Sequence, residues 1–95
     1  MDCRTLRYSR HAIERMFQRE ISPDIVSDIA GCGRIIAEYP DDKPYPSVLL
    51  LGFHDRQPVH VVLSHDEVTG DCHVVTAYRP DPMLWDDAFE KRRES

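Results

Sequence analysis

The sequence has no long hydrophobic run. Its longest unbroken apolar stretch is Val48–Leu51, and a membrane span needs about 18 or more such residues. The arginines at Arg4, Arg7 and Arg10 are followed by no apolar stretch, so the opening residues do not read as a secretory signal. A cytoplasmic location is expected on that basis. Internal repeats, low-complexity tracts and linkers are also lacking. Cysteine is sparse. Cys3, Cys32 and Cys72 are odd in number and have no CxxC spacing, which argues against a disulfide framework or a cysteine-based zinc site. They read as reduced thiols. Positive charge is short as well: 12 Lys plus Arg face 17 Asp plus Glu, a net charge of −5. The balance argues against coating nucleic acid by bulk charge, because that binding comes from Lys and Arg displacing phosphate counterions.

What is present is an ordinary globular composition. Hydrophobic residues make up 41% and charged residues 31% of 95, enough for one small domain with one core. The charge is uneven. Residues 1–20 carry a net +2, residues 21–78 a net −6 and residues 79–95 a net −1. Any anion-binding surface should therefore be local and close to the first helix.

The spacing predicts a helix over Ser9–Glu20. Ser9 suits the cap, with Tyr8 and Ile13 as a hydrophobic staple. Ala12, Ile13, Met16 and Phe17 form its apolar stripe. His11, Arg15 and Arg19 recur at every fourth residue on a neighbouring stripe. Ser22-Pro23 starts a second helix, with the proline at its first turn. Ile25, Val26, Ile29 and Ala30 are its apolar face, and Gly31 or Gly33 its end. Beyond it the period changes to two. Strands are expected at Arg34–Tyr39, Val48–His54, Pro58–His65 and Cys72–Tyr78, with a three-proline loop at 40–47. Short connections make them an antiparallel meander. Met83–Arg93 is read as a closing helix, with Leu84, Trp85, Ala88 and Phe89 inward and Lys91-Arg92-Arg93 at its C-terminus. The expected class is α+β, ordered ααββββα, with helices on one sheet face.

Register locates candidate chemistry. Pairing Asp66 with Cys72 sets His60 opposite Tyr78, Val62 opposite Thr76, Ser64 opposite Val74 and His65 opposite His73. Pairing His54 with Pro58 sets Gly52 beside His60 and leaves room over the sheet. His60 and Tyr78, facing a helix edge that carries His11 and Arg15, would suit metal-independent RNA cleavage. That reaction needs a base for the 2′-hydroxyl, a cation for the crowded phosphate and an acid for the 5′-oxygen. His60 would be base or acid with His11 as its counterpart, Arg15 the phosphate stabiliser and Tyr78 a positioning donor. Arg19 and Arg79 are the further cations expected to bind substrate. Each has a plain alternative. His60, flanked by valines, could be a hydrogen-bonded core histidine. Tyr78 could pack a strand end, His11 could bond near the helix start, and Arg15 could pair with a carboxylate. No cofactor is expected. A metal alternative is His65 paired with His73, with Asp66 and Cys72 next to them, although a site needs more ligands than two histidines.

Several segments carry a resemblance. Ser9-Arg10-His11-Ala12, Arg15-Met16, Arg19 and Ile21-Ser22 resemble the opening of the bacterial domain-of-unknown-function family 4258. Glu38–Ser47 looks like its central loop. Pro58–Val62 and Val75–Asp81 are similar to its two later strands. That family brings no established activity. More distantly, two helices before an antiparallel sheet are similar to the RelE/ParE/BrnT and MqsR group of toxins, several of which cleave mRNA. The resemblance implies a toxin–antitoxin setting, with an RNA substrate and an antitoxin protein as partner. Those toxins are commonly basic, whereas this chain is acidic. The alternative function is a non-enzymatic binding or assembly module that uses the acidic surface and the prolyl loop.

Overall fold

The structure is a computed structural model that describes residues 1–93. Its elements run β1 (Leu6–Tyr8), α1 (Arg10–Gln18), α2 (Pro23–Cys32), β2 (Arg34–Tyr39), β3 (Ser47–His54), β4 (Gln57–His65) and β5 (Cys72–Tyr78). The strands form one sheet in the order β1-β5-β4-β3-β2. β1 lies parallel to β5 and every other pair is antiparallel.

Both helices start where their caps dictate. The Ser9 hydroxyl accepts the Ala12 N–H at 3.0 Å, and the Ser22 hydroxyl accepts the Ile25 N–H at 3.3 Å. α1 stops before Glu20 because that residue turns left-handed, at φ 57°. The Glu20 N–H then reaches the Phe17 carbonyl and the Ile21 N–H the Met16 carbonyl. Met16 and Ile21 are both buried, which completes a Schellman stop. Both helices lie on one sheet face. Ala12, Met16, Val26, Ile29 and Ala30 close there over Val48, Leu50, Val59, Val61, Leu63, Val74 and Ala77.

Four expectations need correcting. The sheet has five strands and is mixed, because Leu6-Arg7-Tyr8 pairs with Cys72-His73-Val74. That strand is too short to show a period. The closing helix does not form. Asp81 and Asp86 turn their carboxylates onto the backbone N–H groups of Met83 and Glu90, and such local bonds compete with helix. Of its intended apolar face only Trp85 is buried, and residues 80–93 run as a strap of turns joined by a Trp85–Arg92 bridge. The cysteines are not all reduced: Cys3 and Cys72 form a disulfide, and Cys32 is free and exposed.

The fourth correction is register. The β3–β4 turn has two residues, Asp55 and Arg56, both left-handed at φ 50° and 67°, as a tight hairpin requires. His54 therefore pairs with Gln57, and Leu51, not Gly52, stands beside His60. The space above Gly52 is filled by Ile29, whose Cγ1 lies 2.5 Å from where a Cβ would sit. Between β4 and β5 the pairs are His65 with Cys72 and Ser64 with His73, so neither Ser64–Val74 nor His65–His73 occurs. A register shift at Val75 then restores Val62 opposite Thr76 and His60 opposite Tyr78.

Candidate functional site

His60 alternates with Val59 and Val61, which face the helices. Its ring therefore points to the opposite side of the sheet. The bulge at Val75 turns Tyr78 to the same side. Simple alternation from the core residue Val74 would have sent Tyr78 under the helices, and a bulge re-aims the residues beyond it. The strap of residues 80–93 covers this side. The His60 ring is wholly buried. It meets the Trp85 ring edge-on at 4.4 Å and the Tyr78 ring at 5.2 Å.

Both ring nitrogens are bonded. Nε2 lies 2.7 Å from the Phe89 carbonyl oxygen and Nδ1 lies 3.2 Å from the Tyr78 hydroxyl. A carbonyl can only accept, which assigns the ring proton to Nε2. Nδ1 of the neutral ring then accepts from Tyr78. Burial lowers the His60 pKa below its ordinary value, partly offset by the Phe89 bond, so the ring is neutral near pH 7. Burial raises the Tyr78 pKa, and the Tyr39 phenol adds to it, while Arg92 and Arg19 pull the other way. Tyr78 therefore keeps its proton at rest. It is only half-buried, so it is the member of the pair that meets solvent.

Arg19 reaches round the β5 edge. Its guanidinium donates to Thr76 Oγ1 at 3.2 Å and to the Ala77 carbonyl at 2.8 Å. Arg79 donates to the carbonyls of Arg19 and, at 3.1 Å, of Glu20. The two arginines thereby clasp the end of α1 to the end of β5. His11 and Arg15 are exposed on α1, which packs on the far side of the sheet from His60. The structure brings His60 and Tyr78 together, holds Arg19 on the neighbouring residues Thr76 and Ala77, and leaves His11 and Arg15 apart from the pair.

Sequence reasoning missed Trp85, Phe89 and Arg92, which were assigned to a helix that does not form. Arg92 lies 5.7 Å from the Trp85 ring centre and near enough to Tyr78 to act on its ionisation. No sequence signal marks the Phe89 contact, because it is made by a backbone carbonyl. His65 is opposite a disulfide cysteine, and His73 stacks on Tyr45 at 5.5 Å. Among the described residues, no three His, Cys, Asp or Glu side chains gather as metal ligands would. Among the described residues, no helix is long and apolar enough to cross a membrane.

A family model described as a domain of unknown function, DUF4258, matches residues 8–79. The match takes in β5 with Tyr78 and stops short of the strap that carries Trp85 and Phe89. No curated protein and no solved structure matches the chain.

Proposed function

The chain belongs to the DUF4258 family, and from that footing we propose that it is a metal-independent endoribonuclease of toxin type, working on the strap-covered sheet face. One observation carries this reading. The hydroxyl of the half-buried Tyr78 donates to a neutral histidine whose other nitrogen is already anchored. A hydroxyl, a base bonded to it and a group orienting that base are the parts of a proton relay.

The chemistry follows from those positions. The RNA 2′-hydroxyl gives its proton to Tyr78 Oη as its oxygen bonds to phosphorus. The phenolic proton passes at the same time to His60 Nδ1, so no free phenolate forms. The 5′-oxygen departs and takes a proton back along the same path. The products are a 2′,3′-cyclic phosphate and a 5′-hydroxyl. Arg19 and Arg92 supply positive charge beside Tyr78 for the crowded phosphate. His11 and Arg15 have no part in this version, because they stand on the other side of the sheet.

Inducing the chain in bacteria, beside a Tyr78→Phe control, tests the reading. Growth arrest and RNA fragmentation with the wild type alone would support it. Normal growth with intact RNA would count against it, and an antitoxin partner would then have no role.

A second reading, a non-enzymatic protein-binding module, is favoured by α1. Phe17 is 85% exposed and, with Ile13, Met16, Ile21 and Pro23, lines an apolar groove. Exposed apolar surface of that kind commonly marks a protein contact.

A further inference from the structure

Phe89 is the non-glycine residue of the strap held in a left-handed conformation, at φ 58°. Such a backbone is costly for a side chain bearing a Cβ, and it persists only where its surroundings over-determine it. Here it aims the Phe89 carbonyl at His60. Several contacts hold the strap around it. The Asp86 carboxylate accepts the Glu90 N–H at 3.1 Å, the Phe89 N–H donates to the Asp86 carbonyl at 2.9 Å, and Glu90 pairs with Arg34 of β2 at 3.2 Å. Trp85 is buried against the His60 ring. The strap residues in these contacts, Trp85, Asp86, Phe89 and Glu90, lie beyond the residues that match the family model.

We propose that Phe89 is a positioning residue whose backbone carbonyl locks His60 as the Nε2–H tautomer and so turns Nδ1, as a proton acceptor, toward Tyr78. The inference rests on the ribonuclease reading for its purpose, but not for its geometry. A neutral imidazole free in water exchanges between two tautomers, and only the one with an open Nδ1 accepts from Tyr78. Without the carbonyl the ring has no group that selects between them. The strap therefore completes a relay whose other two members lie on the sheet.

Nitrogen-15 NMR of the full chain with labelled histidine reads the tautomer directly. The wild type should show His60 protonated at Nε2 and bare at Nδ1, with the Nε2 proton shielded from exchange. Phe89→Gly keeps the carbonyl and favours a positive φ, so it should retain that pattern. Phe89→Pro cannot reach a positive φ, and Trp85→Ala unseats the strap. Each should lose the Nε2 proton signal, and each should lose RNA cleavage with it. Should Phe89→Pro fail to fold, Trp85→Ala carries the same comparison. A wild-type ring protonated at Nδ1, or an unchanged Nε2 proton in the unseated variants, would overturn the inference. The locked tautomer in a wild type that cleaves no RNA would instead sink the ribonuclease reading and leave the positioning role standing.

Discussion

Tyr78 and His60 face each other across paired strands and share a hydrogen bond of 3.2 Å, and they meet because Val75 is bulged out between them and the core residue Val74. The pair has consequences for stability as well as chemistry. Tyr78→Phe keeps the ring and removes the hydroxyl, leaving a buried Nδ1 without its donor. An unsatisfied buried acceptor costs about 1–2 kcal/mol. Urea denaturation should show that loss with the slope of the transition unchanged.

His60 also makes stability depend on pH. Its folded-state pKa is lowered by burial from an ordinary value of 6.5. As pH falls, the unfolded chain takes up this proton before the folded one does, and folding is disfavoured. The contribution is therefore complete above pH 6.5 and is lost as pH drops through the folded value. Urea midpoints measured from pH 8 down to 5 should fall for the wild type. His60→Gln should be less stable throughout but lack that leg of the curve.

The Cys3–Cys72 bond ties the chain's start to β5 across 69 residues. Closing a loop of that length removes much of the freedom of the unfolded chain, and a loss of about 2–4 kcal/mol is expected on reduction. Alkylation under denaturing conditions, read by mass spectrometry, should modify Cys32 alone before reduction and all three cysteines after it.

Gly52→Ala would place a methyl group against Ile29, whose Cγ1, Cδ1 and Cγ2 lie 2.5–3.1 Å from its position. Overpacking of this kind costs about 1–3 kcal/mol. In an Ile29→Ala background the clash is gone, so the two substitutions should be strongly non-additive in a double-mutant cycle. Simple additivity would show that Ile29 is not what fills the space.

Much of this fold was legible in the chain. Ser9 and Ser22-Pro23 mark both helix starts, and the period of two places β2 and β5 at the residues they occupy. The His60–Tyr78 pairing was reached through two offsets that cancel. The assumed turn pair was one residue out, and the Val75 bulge, which has no glycine or other marker, restored the register. The β3–β4 turn was hidden because Asp55-Arg56 lacks the glycine usual in such a hairpin. The disulfide was hidden because pairing depends on β1, a strand of three residues. The strap misled most. Leu84, Trp85, Ala88 and Phe89 have helical spacing, yet Asp81 and Asp86 hold the backbone in turns, and the contact to His60 comes from a carbonyl that no side-chain pattern reveals.

The most direct test is cleavage of a single-stranded RNA by the purified full-length chain in the presence of a metal chelator, with Tyr78→Phe alongside and the fragment ends identified. Proton transfer by a positioned group contributes about 10²–10⁴-fold. The wild type should therefore release fragments ending in 2′,3′-cyclic phosphate and 5′-hydroxyl, and Tyr78→Phe should be slower by at least about 10²-fold. Intact RNA with the wild type, or equal cleavage by Tyr78→Phe, would contradict the account.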